Sequence, residues 1–380
     1  MRFAFRFALV LAVLGGMLPA RAGEFRGLYV DAFHPGFKTH QQVAQMVTAA
    51  KAANVNALIV QVGKRGDAYY NSAIEPKASD IAADYDPLAD IIQQAHEVGM
   101  EVHAWLSLYE VALDSPWFKP AADSVHLTHP EWLMADQQGK TVLDHGKIYL
   151  DPGVAAVQDR MVSVVSEVAA NYNVDGIHLD NIRYPDVGNG YNALSLARFN
   201  AESGKSGTAT PNPNDPDWRK WRTQQVTDLV ARIQTAVVEK KPAVKLSASV
   251  MCSDAKLAAM QFMQDWDSWI RDGLVDFLVP MVYLQNDSMG VESAKALAVS
   301  RDRHIYVGIG AWRIEGALAS KQIADCRAAG AEGIVLYNYH YLGPNSTGTN
   351  TATLADLTSS VFTQETSTAP MAWKQEGGLR

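Results

Sequence analysis

The sequence predicts a single-domain α/β protein, a (β/α)8 barrel with long loops after strands 2, 3 and 4. Three observations carry this reading. Eight short apolar runs alternate with eight amphipathic stretches between residues 27 and 361. The runs are rich in Val, Ile, Leu and aromatics without clean polar alternation, which is how strands buried on both faces read. Polar and aromatic residues collect after nearly every run, as the loops at the C-terminal rim of a barrel require. No Gly-x-Gly-x-x-Gly follows the first run, which counts against an open dinucleotide-binding sheet.

Before the first strand, residues 1–22 read as a signal peptide. Arg2 and Arg6 make a basic start, 7–18 is apolar but short for a bilayer, and Ala20-Arg21-Ala22 fits a small-x-small cleavage site before Gly23. The expectation is an exported protein, periplasmic or secreted, with no transmembrane segment. Cleavage removes three arginines and no acid, so 41 acids face 30 bases and the net charge moves from −8 to −11. There is no basic tract, so nucleic acid is excluded as a partner. No protein partner is predicted.

The barrel domain is expected over 23–362. Strand 1 (27–32) is followed by a helix over 41–53, and strand 2 (57–62) by a loop over 64–86 and a helix over 87–98. Strand 3 (101–108) leads into a loop over 109–153 and a helix over 154–171. Strand 4 (176–179) leads into a loop over 181–215 and a helix over 215–240. Strands 5 (245–251), 6 (276–283), 7 (305–309) and 8 (333–337) alternate with helices over 258–272, 291–300, 318–329 and 351–361. Several helices stop at Asn or Gly, among them Asn54, Gly99, Gly273 and Gly330, residues that tolerate the left-handed conformation closing a helix. Residues 363–380 are polar and read as a disordered tail. Trp266 and Trp269 show helical spacing and read as packing. Asp151 reads as a helix-start residue. Cys252 and Cys326 read as two unpaired thiols. Metal-ligand spacing is absent, so neither a metal nor another cofactor is expected.

The strand ends carry the chemistry. Asp180 ends an apolar strand and is followed at once by Arg183 and Tyr184. Tyr29, Asp31, His34, Gln61, Arg65, Tyr70, His103, Trp105, Tyr283, Trp312 and Tyr337 fall at or near other strand ends and, with Arg183 and Tyr184, are the expected substrate contacts. Aromatics interleaved with carboxylates and guanidinium groups suit a sugar, whose C–H faces stack on rings and whose hydroxyls need fixed partners. Glycoside hydrolysis also needs two carboxyl groups astride the bond. Asp180 is the first catalytic candidate, a nucleophile or a stabilising charge that Arg183 would keep ionised. Asp67, between Lys64-Arg65-Gly66 and Ala68, suits an orienting or nucleophilic role. Glu110, between Tyr109 and Val111, suits a general acid. For His103 a barrel-core role weighs about equally with substrate contact.

The chain resembles glycosyl hydrolase-like family 10. The resemblance rests on Arg26-Gly27-Leu28-Tyr29-Val30-Asp31, Gln61-Val62 with Gly66-Asp67-Ala68 and Tyr70, Val102-His103-Ala104-Trp105, Leu150-Asp151-Pro152-Gly153, Val174-Asp175-Gly176-Ile177-His178-Leu179-Asp180, and Asp276-Phe277 leading to Pro280-Met281-Val282-Tyr283. It implies a TIM-barrel carbohydrate hydrolase, exported in bacterial members, with one branch cleaving peptide-free peptidoglycan strands. Asp175 to Asp180 is also similar to the strand 4 signature of α-amylases, but no Glu follows strand 5. Ile182 stands where a chitinase-type signature has its catalytic Glu. The leading expectation is an exported glycoside hydrolase acting on a bacterial polysaccharide such as peptidoglycan glycan. The alternative is a non-catalytic carbohydrate-binding barrel. A metal-dependent deacetylase or a serine esterase would need a His/Asp cluster or a nucleophile motif, and the sequence has neither.

Overall fold

The computed structural model describes residues 23–205, 210–344, 346 and 351–375. The expected signal peptide, 1–22, and residues 376–380 of the expected tail lie outside them. In chain order the strands are β1 (Phe25–Val30), β2 (Ala57–Gly63), β3 (Glu101–Ser107), β4 (Glu110–Leu113), β5 (Lys147–Tyr149), β6 (Gly176–Asp180), β7 (Lys245–Val250), β8 (Phe277–Val282), β9 (His304–Ile305), β10 (Val307–Ile309) and β11 (Gly333–Leu336). Nine of them pair in parallel in the order β10-β11-β1-β2-β3-β6-β7-β8-β9, and β10 returns to β8. The sheet therefore closes on itself, and the predicted barrel is what forms. β9 and β10 share one position, split at Tyr306, whose amide still donates to Leu278 O at 3.0 Å. The Tyr306 ring turns inward and stacks on Phe25 at 4.4 Å.

Several helices start where a side chain can accept their free amides. Asp86 accepts from Ala89 N ahead of Pro87–Glu97, and Asp215 accepts from Asp217 N and Trp218 N ahead of Pro216–Lys240. Both helices open with Pro, which has no N–H to leave unpaired. Gly330, at φ 101°, ends Gly316–Ala329. The helix expected over 258–272 is two helices, Ala255–Phe262 and Trp266–Arg271. The break is at Met263, which is left-handed. It lets the buried Gln264 side chain accept from Met251 N and donate to Ile182 O and Ser249 O, tying two strand ends together. Trp266 and Trp269 are fully buried, as their spacing predicts.

The barrel interior fills in layers. At the floor, His103 packs edge to face on Phe25 and Phe277, and Phe277 lies tilted against Phe25 and Tyr306. Gly176 makes room for them: a Cβ there would lie 2.1 Å from His103 Nδ1. Above sits a polar layer. Tyr29 Oη bonds His178 Nε2 at 2.8 Å and Ser249 Oγ at 2.9 Å, and Ser247 Oγ meets His178 Nδ1 at 2.9 Å. Burial holds His178 well below its ordinary pKa, so it is neutral there.

The tail differs from expectation over its described part. Residues 363–375 lie across the barrel floor. Glu24 N donates to Ser367 O, Asn56 Nδ2 to Thr366 O, and Thr368 Oγ1 to Glu101. Met371 joins the interior cluster with Phe25 and Phe277, and Trp373 Nε1 donates to Asp276 at 2.8 Å. A polar composition reads as solvated, but these carbonyls and hydroxyls answer polar groups that the floor would otherwise bury unpaired. Cys252 and Cys326 are free thiols.

Candidate active site

A cavity of about 580 Å3 opens at the C-terminal ends of the strands. It gathers ten of the expected residues: Tyr29, Gln61, Arg65, Trp105, Glu110, Asp180, Arg183, Tyr283, Trp312 and Tyr337. They reach it by the two-residue period of strands, which turns Tyr29, Gln61, Trp105 and Asp180 inward.

Asp180, at the end of β6, sits low in the cavity with its side chain 14% exposed. Trp105 Nε1 donates to one carboxyl oxygen at 3.1 Å, and Asn181 N donates to the other at 2.8 Å. Asn181 itself is left-handed, at φ 52°. Arg183 Nη1 stands 4.0 Å away, at the limit of an ion pair. Burial pushes the Asp180 carboxyl above its ordinary pKa, with Arg183 and the two donors pulling the other way. Desolvation therefore outweighs Arg183 in setting the direction of that shift.

Glu110 is placed by a feature the strand-and-helix reading did not contain. The loop expected over 109–153 folds part of its length into the antiparallel pair β4–β5. Glu110 opens β4 and accepts from Arg65 Nε at 2.7 Å, while Lys147 on β5 comes within 3.0 Å. The apolar setting suggested by Tyr109 and Val111 is therefore replaced by two cations. Lys147 was missed because it lies 37 residues further on, and only the hairpin pairing brings it close.

The upper wall is aromatic. Trp312 meets Tyr283 at 5.0 Å and Tyr337 at 5.1 Å, both edge to face, and Tyr29 meets Trp105 at 5.1 Å. Burial raises the phenols of Tyr29, Tyr283 and Tyr337, so they stay protonated and can donate. Gln61 bridges strands, accepting from Ala32 N at 3.0 Å and donating to Ser107 Oγ at 3.1 Å. Phe33, Ser107, Asn181, Ser249 and Met281 also line the cavity and were missed. Ser249 was legible in the Lys245-Leu246-Ser247-Ala248-Ser249 alternation, which puts both serines on the inner face.

Six expected residues lie elsewhere. Tyr70 is buried behind β2, edge to face with Tyr172 at 5.7 Å. Tyr184 is buried outside the barrel under the Arg222 guanidinium. His103 is in the floor layer, 3.1 Å from Glu101, so the core reading prevails over substrate contact. Asp67 accepts from Lys64 N and Arg65 N, both at 3.0 Å, and so shapes the loop that presents those cations. Asp31 accepts from Phe33 N and His34 N, binds the His34 ring at 2.8 Å and receives Asn338 Nδ2. The His34 ring stacks on His340 at 3.8 Å. Strand and loop position does not fix the direction of a side chain, which misplaced five of them; His103 turns inward but near the start of β3, in the floor layer below the cavity. Asp151 is likewise not a helix cap. It is fully buried and accepts from Gly153 N and Ser195 Oγ, tying its own turn to the first turn of the helix Ala193–Glu202. Among the described residues no group of three or more His, Cys, Asp or Glu side chains is placed to hold a metal.

The family described as glycosyl hydrolase-like 10 matches residues 24–325. Among relatives, the glycosyl hydrolase YngK of Bacillus subtilis is 26% identical over 304 residues, covering 72% of this chain and 56% of that one. The glycosyl hydrolase DigH of Escherichia coli K12 is 27% identical over 298 residues, covering 68% and 63%. The chain thus spans less than two thirds of the length of either relative. Among solved structures, the glycoside hydrolase domain of PgaB from Bordetella bronchiseptica matches with a TM-score of 0.62 at 14% identity, covering 83% of this chain and 94% of that one. The catalytic domain of β-amylase from Paenibacillus polymyxa matches with a TM-score of 0.63 at 15% identity, covering 90% and 99%. At these identities the likeness is one of fold.

Proposed function

Because the chain belongs to the glycosyl hydrolase-like 10 family, we propose that it is a glycosidase that cleaves a bacterial polysaccharide, with peptide-free peptidoglycan strands as the first substrate to test. The observation that carries this reading is the pair of carboxyl groups, Asp180 and Glu110, lining one aromatic-walled cavity in unlike surroundings. Acid-and-anion pairs of this kind are what glycosidases place about the scissile bond.

The assignment reverses the expected roles. Asp180, which burial favours in the protonated form, gives its proton to the leaving oxygen. Glu110, held by Arg65 and Lys147, supplies the negative charge opposite. It acts on the oxocarbenium-like transition state as nucleophile or through water. Trp312, Tyr283 and Tyr337 hold the sugar face, and the two tyrosine phenols bond its hydroxyls. Export after cleavage at Ala22 belongs to the same reading, since the substrate lies outside the cytoplasm. No helix among the described residues is long and apolar enough to cross a membrane.

The test is to incubate the purified protein with peptide-free glycan strands and follow the products by chromatography and mass spectrometry. Shorter strands with new reducing ends are expected. The second reading, a carbohydrate-binding barrel, draws on the two cations that engage both oxygens of Glu110. Tight binding of strands without any cleavage would select it.

A further inference from the structure

A second cavity, of about 450 Å3, adjoins the first and shares Lys64 and Arg65 with it. Its wall includes Trp117, in the loop between β4 and β5, whose side of the cavity also carries Phe118 and Lys119. Trp117 is 88% exposed, more than any other exposed large hydrophobic residue among those described. A bare indole at the rim of a cleft is a surface for stacking. In the first cavity Phe33, 45% exposed, lies 4.8 Å beneath the Arg65 guanidinium, so aromatic surface occurs on both sides of the shared cations.

The charge of this second cavity opposes that of the chain. Lys64, Arg65, Lys77 and Lys119 face Asp67 and Asp80 there, in a protein of formal net charge −8. Both acids are already engaged. Asp67 accepts the amides of Lys64 and Arg65, and Asp80 pairs with Lys38 at 2.6 Å. Lys77 meets the Asn71 side-chain carbonyl at 3.0 Å, and neither it nor Lys119 forms an ion pair among the described residues. The cleft therefore offers a stacking face beside uncompensated ammonium groups.

We infer that this second cavity is a distal subsite for a carboxylate-bearing sugar of the same glycan chain whose cleaved bond lies in the first cavity. The inference rests on the glycosidase reading and adds to it a second contact region, with named residues, that binds the carboxylate of the chain. Trp117 takes the sugar face, and Lys77 and Lys119 take the carboxylate. An acidic glycan is favoured over a protein occupant because the cleft is continuous with the carbohydrate cavity.

The test uses Asp180→Asn protein, so that strands stay intact during calorimetric binding. The probes are peptide-free peptidoglycan strands, whose lactyl groups end in free carboxylates, and the same strands with those carboxylates reduced to alcohols. Adding Trp117→Ala should weaken binding of intact strands about tenfold. Adding Lys77→Met with Lys119→Met should weaken it about fivefold and abolish the preference for intact over reduced strands. Unchanged affinity in the Trp117 variant, or equal binding of intact and reduced strands before any lysine is changed, would overturn the subsite while leaving the glycosidase reading in place. Conversely, the expected affinity losses together with no hydrolysis by the parent would retain the subsite and sink the glycosidase reading. A parent protein that sediments as a dimer, and a Trp117→Ala variant that does not, would overturn the subsite in favour of a second copy on this face.

Discussion

At the scale of single residues, Asp180 is where burial and charge compete. Asp180→Asn keeps the shape and removes the proton donor, so turnover should fall about 10²–10⁴-fold with substrate affinity largely kept. Near-parental hydrolysis of a confirmed substrate would remove Asp180 from the mechanism. Arg183 opposes the burial shift, so its loss should raise the Asp180 pKa further. Arg183→Gln is therefore expected to move the alkaline limb of kcat/KM to higher pH. A limb that stays put or moves to lower pH would show that another group sets it. The same shift bears on stability. The folded pKa of Asp180 lies above the unfolded one, so its stabilising contribution is complete below the unfolded pKa and is lost as pH rises through the folded pKa. Asn carries no such penalty. Calorimetry should find Asp180→Asn melting above the parent at pH 7, with the gap closing in acid; equal melting at both pH values would refute the buried-charge account.

At the scale of elements, the decisive pieces are the ones that break the regular alternation. The β4–β5 hairpin brings Glu110 and Lys147 to the cavity, and the Met263 break lets Gln264 tie β6 and β7. Glycine spacing inside β6 is equally specific. A Cβ on Gly176 would meet the ring of His103, not a flexible chain end. Gly176→Ala should cost about 1–3 kcal/mol in denaturant unfolding, as overpacking does. A cost near zero would mean that the floor layer can relax around a methyl group.

At the scale of the whole molecule, the barrel is closed at its floor by a segment distant in sequence. Met371 and Trp373 cover the ring cluster, while Lys374 and Thr368 answer Asp276 and Glu101. Truncation after residue 362 would uncover apolar rings and leave those two acids short of partners. Loss of buried side chains of this size costs about 2–5 kcal/mol each. The truncated protein should melt lower by several degrees or fail to fold; an unchanged melting temperature would mean the segment contributes nothing to the core. Export is also a property of the whole chain. N-terminal sequencing of protein recovered from the cell envelope or medium is expected to begin at Gly23, and retention of Met1 would refute cleavage.

Sequence alone determined the barrel, because burial on both faces writes itself as eight apolar runs and helix ends write themselves as caps and left-handed stops. It also determined which rim holds the cavity, since Asp180, Trp105, Tyr283 and Tyr337 all sit at or near strand ends. Tertiary structure alone decided which of the polar residues at that rim converge. Tyr70 and Tyr184 turn outward, Asp67 and Asp31 are spent on loop amides, and Glu110 acquires two cations from separate segments. Local pattern is set by a few neighbouring residues, whereas the charge state and direction of a side chain depend on groups that only chain closure brings within a few ångströms. For the same reason the polar stretch over 363–375 became part of the fold: its partners lie at the far end of the chain.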